Sequence, residues 1–190
     1  DVLLITHDHY DHLDHRLMLQ IKKKVKTVVC SLGVGAHLEH WGYAKDKINE
    51  TDWHESYVAT GLKLTAAPAR HFSGRGIRRG QSLWSAFILE AAGIKLYLGG
   101  DSGYGKHFSE TGKRYGPFDL AILECGQYNQ FWPYIHMMPE ETVQAAIDLG
   151  AKTLLPVHWG KFALAMHEWT EPIERVIAEA DKKNIQILTP

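Results

Sequence analysis

Short apolar runs alternate with stretches of helical period along the chain, and this alternation predicts an α/β arrangement. The chain opens on an apolar run at residues 2–6, which predicts a buried strand. A helical pattern follows from Leu13 to Lys24, where lysines at the C-terminal end suit the helix dipole. Later apolar runs predict further strands at residues 27–30, 120–123, 153–157 and 185–188.

Turn and cap residues define the remaining elements. Strand pairs are predicted around a turn at Gly61 and through Ala92-Gly93, where residues 83–90 would pair with 94–98. Proline near the start and glycine just beyond the end mark helices. The helices so predicted cover residues 35–41, 139–150 and 171–183. With no repeat or linker apparent, we expect one domain over residues 1–190.

The chain begins at Asp1 and enters its first strand-like run at once. A domain rarely starts with its most buried strand and nothing before it. We therefore expect this chain to be the C-terminal part of a longer protein.

Composition sets limits on the class of protein. With 45% hydrophobic and 23% charged residues, the 190-residue chain has the make-up of a soluble globular domain. The net charge of −1 gives no general attraction to nucleic acid or anionic membranes. Cys30 and Cys125 form no CxxC pair, which favours a reducing, cytoplasmic location. No apolar run approaches the ~18 residues of a membrane anchor.

Histidines are abundant, at 12, and several are grouped. Residues 6–12 read Thr-His-Asp-His-Tyr-Asp-His, an H-x-H-x-D-H motif directly after the first predicted strand. His7 and His9 can turn toward one ion, and Asp11 and His12 toward a second, since imidazole and carboxylate are ligands for borderline metals. A polar surface loop is the alternative, but so many ligand-type residues in succession favour a metal site.

Isolated ligand-type residues also follow later strands. His71, Asp101 and His158 each come shortly after a strand-like run. Loops at strand ends are where α/β scaffolds carry functional groups. Each residue alone is more simply explained as structural, but together they predict that the later strands complete the metal site.

The order H-x-H-x-D-H, then His, Asp and His, resembles the metallo-β-lactamase superfamily. This resemblance implies an αββα sandwich with two metals along one edge of its paired sheets, here without its N-terminal strands. The cysteine that the zinc β-lactamases use is absent, so Asp11 and His12 indicate the hydrolase and phosphodiesterase branch. The resemblance assigns ligands to two ions: His7, His9 and His71 to the first, Asp11, His12 and His158 to the second, and Asp101 to both.

Within that branch, the chain is similar to the N-acylphosphatidylethanolamine phospholipase D group and its bacterial relatives. The similarity implies hydrolysis of a phospholipid-like or small phosphodiester by metal-bound hydroxide. Two divalent ions are expected, zinc first, with manganese or iron as alternatives. The matching segments are residues 6–14, 68–71, 83–84, 100–104, 136, 139–141 and 158–160.

Candidate catalytic residues are Asp101, Asp11 and His136. Asp101 would bridge the metals and orient the nucleophile. The resemblance implies a histidine near position 136 beside the metals, where it would bind substrate or donate a proton; an ordinary loop histidine is an equal alternative. Asp14 and His15 are predicted to orient the metal-binding imidazoles from outside.

Candidate substrate residues come from two loops. Arg75, Arg78 and Arg79 lie in a glycine-rich segment after His71, and guanidinium groups suit phosphate. Trp132, in an aromatic loop, would contact an acyl chain. A solvated loop and ordinary aromatic packing are the respective alternatives.

Other functions stay open from the sequence. A lactonase or other small-molecule hydrolase would use the same ligands, and a non-catalytic metal-binding domain is a third hypothesis. The ligand set disfavours the last, because structural zinc sites are usually closed four-ligand sites. A nuclease would require a basic face, so no nucleic-acid partner is expected. A lipid substrate would imply peripheral membrane contact, and the sequence leaves the oligomeric state open.

Overall fold

The computed structural model describes residues 1–59 and 61–189, which form two sheets between two layers of helices. The strands are β1 (Val2–Ile5), β2 (Thr27–Ser31), β3 (Ile48–Thr51), β4 (Ser56–Ala59), β5 (Leu62–Ala67), β6 (Ala86–Ala91), β7 (Ile94–Leu98), β8 (Leu120–Glu124), β9 (Thr153–Val157) and β10 (Gln186–Ile187). The helices are α1 (His15–Ile21), α2 (Gly35–His40), α3 (His107–Tyr115), α4 (Pro139–Leu149) and α5 (Glu171–Lys183).

The smaller sheet has the parallel order β1-β2-β3. Its strands alternate side chains between two faces, as the pleat requires. Ile5 and Cys30 face a core shared with Leu38 of α2, whereas Val29 packs on the opposite face against the second sheet. Burial on both faces explains why β2 reads as a continuous apolar run.

The larger sheet has the order β10-β9-β8-β7-β6-β5-β4. Strands β4 to β7 are antiparallel, and β7 to β10 are parallel. One face carries Leu64 and Phe87 against Val29 of the smaller sheet. The other carries Tyr97 and Leu123 into the main core under α3, α4 and α5. This helix–sheet–sheet–helix order confirms the predicted αββα sandwich.

Element boundaries differ from the predictions where side chains interrupt a pattern. The first helix begins at His15 because the Asp14 carboxylate accepts from the backbone N–H of Leu17 at 2.6 Å, which makes Asp14 its N-cap. Strand β6 begins at Ala86 and not at residue 83, because the backbone N–H of Leu83 donates to the carbonyl of Leu32 and not to a neighbouring strand. Helix α4 begins at Pro139 and ends before Gly150, as predicted.

Strand β3 and helix α3 were not predicted, and neither was a short 3-10 turn at Lys45–Lys47. Strand β3 reads Ile-Asn-Glu-Thr, with a single apolar side chain and no period-two pattern. Helix α3 contains mostly polar residues and buries Phe108 and Thr111. Both elements gain stability from neighbours that are distant in sequence, so local patterns carry little sign of them.

The carboxyl ends of several strands meet at one edge of the sandwich. Strand β5 runs in the same direction as β7, because each is antiparallel to β6, and β8 and β9 continue this direction. The segments that follow β1, β5, β7, β8 and β9 carry the chemically active side chains. Within the described residues, no helix is long and apolar enough to cross a membrane.

Candidate metal centre

The loop after β1 is a tight turn that directs imidazoles to one side. The backbone N–H groups of His12 and Leu13 both donate to the carbonyl of His9, at 3.1 and 2.8 Å. Leu13 is fully buried and fixes the end of this turn in the core. Nδ1 of His7 lies 3.0 Å from the Thr6 hydroxyl, so its Nε2 faces the site.

A first cluster contains His7, His9, His71 and Asp101, whose potential ligand atoms lie within 4.8 Å of one another. Nε2 of His71 is 3.1 Å from Nδ1 of His9 and 3.8 Å from Oδ2 of Asp101. Nδ1 of His71 lies 2.9 Å from the carbonyl of Ile135. Donation of the Nδ1 proton to that carbonyl leaves Nε2 with a lone pair for a metal.

A second cluster contains Asp11, His12, His158 and again Asp101. Nε2 of His12 lies 3.2 Å from Oδ1 of Asp101, and Nε2 of His158 lies 3.2 Å from Oδ2 of Asp11. Nε2 of His158 is also 3.5 Å from Oδ2 of Asp101. Asp101 therefore has one carboxylate that reaches both clusters.

The donor atoms of both clusters fit divalent ions. Among the described residues, Nε2 of His7, Nε2 of His12 and Oδ1 of Asp101 are buried without a hydrogen-bond partner. Such atoms carry a desolvation cost unless something binds them. Ligands about 2.1 Å from a tetrahedral ion lie roughly 3.4 Å apart, which is close to the spacing of these atoms.

The pKa values of the first cluster favour neutral imidazoles. Burial lowers the pKa of His7 well below its ordinary value and lowers that of His71 to about 3, despite the nearby Asp101 carboxylate. Burial also lowers the pKa of His9. A neutral imidazole is the form that binds a metal, so this cluster needs little deprotonation to accept an ion.

The second cluster stabilises positive charge. Burial opposes protonation of His12, but the carboxylates of Asp101 and Asp11, at 3.2 and 3.3 Å from its Nε2, outweigh burial and raise the pKa to about 10. The pKa of His158 is raised by Asp11 and Asp101 against the effect of its burial. Burial would raise the pKa values of Asp11 and Asp101. His12 and His158 outweigh this effect and hold both pKa values well below their ordinary range. A divalent ion between these groups would supply the same positive charge.

Unusual backbone conformations present two of the candidate ligands, Asp101 and His158. Gly100 has φ +62°, and a Cβ there would lie 3.0 Å from the Thr6 side chain, so glycine permits the turn that presents Asp101. His158 has φ +67°, which is uncommon for a residue with a Cβ. Left-handed backbone at a non-glycine ligand is typical of functional sites.

Asp8 supports the loop from behind and was missed in the sequence, although it lies inside the motif. Its Oδ1 accepts from the backbone N–H of Gly74 at 3.0 Å, and its Oδ2 lies 3.8 Å from Nε2 of His37. Burial acts against ionisation, but the nearby His37 ring and the hydrogen bond from Gly74 lower the pKa of Asp8 to about 2. Asp14, predicted in such a role, instead caps α1, and the His15 ring packs on Trp41 at 4.8 Å.

Glu124 at the end of β8 was also missed, although it follows an apolar strand as the predicted ligands do. It is fully buried, and its Oε1 accepts from the backbone N–H of Met137 at 2.8 Å. Nδ1 of His136 lies 3.5 Å from that oxygen, and the His136 ring stacks on His158 at 5.6 Å. The neighbouring Cys125 is a buried thiol whose pKa is raised by burial.

The candidate substrate residues lie in different surroundings. Arg75 donates to the backbone carbonyls of Asp8 and Leu13, so it braces the metal loop. Arg78 and Arg79 are exposed on the segment that follows. The half-buried Trp132 donates its indole N–H to the carbonyl of Gln127 at 2.9 Å.

A cavity of about 490 Å³ opens beside the second cluster. Asp11, His12, Asp101 and His158 form one wall, and Glu124 contributes to it. Residues 159–162 and Gln127 also line the cavity, and most of the lining is apolar. A substrate entering this cavity would meet the second cluster first.

Comparison with known proteins identifies the class to which this fold and site belong. A family model described as a beta-lactamase superfamily domain matches residues 1–159. The chain therefore belongs to the beta-lactamase superfamily, a family of metallo-β-lactamase-fold hydrolases, which confirms the resemblance carried by the ligand order.

Particular relatives narrow the comparison. An uncharacterized protein of Mycobacterium tuberculosis is 44% identical over 100% of this chain and 52% of its own length. The mitochondrial N-acyl-phosphatidylethanolamine-hydrolyzing phospholipase D of Saccharomyces cerevisiae is 33% identical over 93% of this chain and 40% of its own. The chain thus spans about half the length of the curated relatives it matches. The solved structure of Igni18, a metallo hydrolase of Ignicoccus hospitalis, shares the fold, with a TM-score of 0.78, 19% identity, and coverage of 100% of this chain and 76% of its own.

Proposed function

We propose that the protein is a binuclear metal-dependent hydrolase that cleaves phosphodiesters of a phospholipid-like or small-molecule type. The observation that carries this proposal is the Asp101 carboxylate, which reaches the ligand atoms of both clusters. A shared carboxylate of this kind holds two ions at a fixed spacing. His7, His9 and His71 would hold the first ion, Asp11, His12 and His158 the second.

The donor set favours zinc, with manganese or iron as alternatives, because imidazole nitrogen predominates over carboxylate oxygen. Two such ions, held by these residues, would supply Lewis-acid chemistry: they would polarise a phosphoryl oxygen and lower the pKa of a water molecule toward neutrality. Asp101, which both clusters share, would orient the nucleophile. Asp11, on the cavity side, would accept a hydrogen bond from the attacking water and orient it.

His136 is proposed as the proton donor to the departing oxygen. It lies beside the second cluster, with its ring stacked on His158, and its Nδ1 faces the buried Glu124 carboxylate at 3.5 Å. The Glu124 carboxyl, whose pKa burial raises, lies behind the imidazole and fixes the orientation of the ring beside His158. This arrangement supports His136 as an acid rather than as an ordinary loop histidine.

The substrate class rests on the relatives and on the cavity. The yeast and nematode proteins similar to this chain are named as phospholipases D that hydrolyse N-acyl-phosphatidylethanolamine. A mainly apolar cavity next to the second cluster suits a phosphodiester with an apolar substituent. A lipid of this kind would be met by peripheral contact, and the buried free thiols Cys30 and Cys125 support a reducing, cytoplasmic location.

Elemental analysis combined with hydrolysis of bis(p-nitrophenyl) phosphate tests the proposal. We expect close to two metal ions per chain, and turnover that a chelator abolishes and added zinc restores. Asp101→Asn should lose both metal and turnover. His40→Ala is the matched control, because His40 is an exposed histidine outside both clusters and should leave both quantities unchanged.

The outcomes separate the competing functions. Two ions without phosphodiester turnover, but with turnover of a lactone, would replace the proposal by a lactonase on the same site. Bound metal without turnover of any ester, lactone or diester would support a non-catalytic metal-binding domain. A chain that binds no metal after reconstitution would overturn the proposal.

A further inference from the structure

Gln127 is a buried residue that ties together two loops at the mouth of the cavity. Its side-chain Nε2 donates to the carbonyl of Phe162 at 2.5 Å, and its Oε1 accepts from the N–H groups of Leu164 and Ala165 at 2.8 and 2.9 Å. Its own backbone N–H donates to Nε2 of His167 at 2.8 Å. One glutamine therefore fixes the path of residues 162–167, which contain no helix or strand.

The backbone of Gln127 is fixed relative to the second cluster. A Cβ at Gly126 would collide with the carbonyl of His158, so the two loops approach more closely than any larger residue would permit. Gln127 has φ +65°, a conformation that persists for a residue with a Cβ only when its surroundings determine it. The loop of Gln127 is thus held against a metal ligand, and residues 162–167 are held in turn by Gln127.

The segment that Gln127 holds carries exposed apolar side chains beside the metal centre. Phe162 lines the same cavity as Asp11 and His158 and is 43% exposed. Phe162 and Leu164 also line an adjoining hollow of about 460 Å³, with Tyr10 and His9 of the metal loop opposite. Leu164 and Tyr10 are both 64% exposed, so this hollow, which Asp11 and Asp14 also line, presents a mostly apolar surface to solvent.

We propose that residues 160–167, positioned by Gln127, bind the alkyl chain of the substrate. The occupant is an alkyl chain because the surface is apolar and is continuous with the cavity that contains Asp11 and His158. A chain attached to a phosphoryl group at the metals would lie along Phe162 and Leu164. This inference rests on the proposed function for the identity of the headgroup, but the apolar surface can be tested separately.

Binding of two series of non-hydrolysable ligands to the zinc-loaded protein tests the inference. The first series is methyl-, butyl- and octylphosphonate, and the second is acetate, butyrate and octanoate. Complete burial of one methylene strengthens binding about fourfold. Because the hollow is partly open, we expect an increase of about twofold per methylene in both series, measured by calorimetry.

Two substitutions of Gln127 distinguish the effect of its side-chain hydrogen bonds from the effect of its left-handed backbone conformation. Gln127→Ala removes the bonds to residues 162–165 and keeps the left-handed conformation, whereas Gln127→Gly also relieves that conformation. Both should reduce the dependence on chain length to less than about 1.3-fold per methylene and leave binding of methylphosphonate within about twofold of wild type. Gln144→Ala is the matched control, since Gln144 bonds to Asp148 on the same helix.

A second pair of variants tests the apolar surface itself. Phe162→Ala should weaken binding of octylphosphonate and octanoate at least about fivefold, with bound metal unchanged. Phe131→Ala is its control, because Phe131 is 80% exposed in a neighbouring loop and lines neither hollow. With p-nitrophenyl octyl phosphate as substrate, Gln127→Ala should raise KM with little change in kcat, whereas general damage to the metal site would lower kcat.

The results distinguish failure of this inference from failure of the proposed function. Chain-length dependence that is absent from the wild type, or unchanged in Gln127→Ala and Phe162→Ala, would overturn the inference even if phosphodiesters are hydrolysed. Chain-length dependence that these variants abolish would support it even if no phosphodiester is turned over. In that case the alkyl site would belong to a hydrolase with another headgroup.

Discussion

The two ligand clusters share Asp101 but differ in burial and charge. In the first cluster, the side chains of His7 and His71 are each only 1% exposed, and burial keeps them neutral. In the second, the side chains of His12 and Asp11 are 21% and 19% exposed and line the cavity. His7 and His71 of the first cluster are therefore buried and neutral, whereas His9 of that cluster borders the open hollow and the second cluster lines the cavity.

The surroundings of the two clusters also differ, in that polar contacts lie behind the first cluster and apolar side chains lie beside the second. Behind the first cluster, Asp8 bonds to Gly74 and Arg75 bonds to carbonyls of the metal loop, so polar contacts hold that loop in place. Beside the second lies the apolar surface of Phe162 and Leu164. The comparison indicates that one half of the site maintains geometry while the other half receives the substrate.

The largest effect should come from the residue that the two clusters share. Asp101→Ala removes a ligand from both, so we expect loss of both ions and a decrease in hydrolysis of at least about 10³-fold. Metal content and turnover of bis(p-nitrophenyl) phosphate are the measurements. If the variant kept one tightly bound ion, Asp101 would belong to a single cluster, and the two clusters would be independent sites.

Substitution of one histidine from each cluster should distinguish the clusters by the loss of stability that accompanies the loss of one ion. His71→Ala removes a buried ring whose Nδ1 bonds to Ile135, so we expect loss of one ion and about 2 kcal/mol of unfolding free energy. His158→Gly removes a less buried ligand and relieves its left-handed backbone, so it should lose one ion with less than about 1 kcal/mol of destabilisation. Metal analysis and denaturant unfolding measure both quantities, and equal destabilisation would contradict the contrast in burial.

Much of the first cluster and of the fold could be predicted from the sequence. β2 is buried on both faces, and β1 and β9 are short apolar runs with buried residues, so the strand signal of all three is strong and local. The H-x-H-x-D-H motif directly follows the first of these strands, and its ligand order matches the superfamily. The αββα layers and the position of the motif could therefore be predicted from the sequence.

The roles of the residues that support the site could not be predicted in the same way. Glu124 and Gln127 act through contacts with residues far along the chain, Met137 for one and Phe162 for the other, and no local pattern reports such contacts. Asp14 looked like a supporting ligand because of its position after the motif, but its carboxylate caps α1. Such roles depend on tertiary packing, which spacing in the sequence does not encode.

Metal uptake should depend on pH in the second cluster and not in the first. The pKa of His12 is raised to about 10, so below that value an ion must displace a proton, and apparent affinity should increase about tenfold per pH unit. The pKa of His71 is lowered to about 3, so that ligand is already neutral at pH 6. Zinc titration between pH 6 and 8 should show one site that tightens about 100-fold and one that changes little.

The same pH dependence of metal affinity at both sites would contradict the proposed difference between the two clusters. If both sites tightened equally, the first cluster would also have to release protons, against the lowered pKa values of His7 and His71. If neither changed, the carboxylates of Asp11 and Asp101 would not stabilise charge on His12. The His40→Ala variant serves as the control, because it should reproduce the wild-type curves.

The smallest effect should come from the arginines on the segment beyond the first cluster. Arg78 and Arg79 are exposed and have freedom to reach an anionic headgroup, whereas Arg75 is engaged by backbone carbonyls. Substitution of both exposed arginines by alanine should raise KM for bis(p-nitrophenyl) phosphate about threefold and leave KM for a neutral p-nitrophenyl ester unchanged, because exposed charge pairs contribute little. The double variant should also retain the dependence of binding on alkyl chain length, since that surface lies beside the other cluster. Equal changes in KM for both substrates would remove phosphate recognition from this segment and leave the headgroup to the metals.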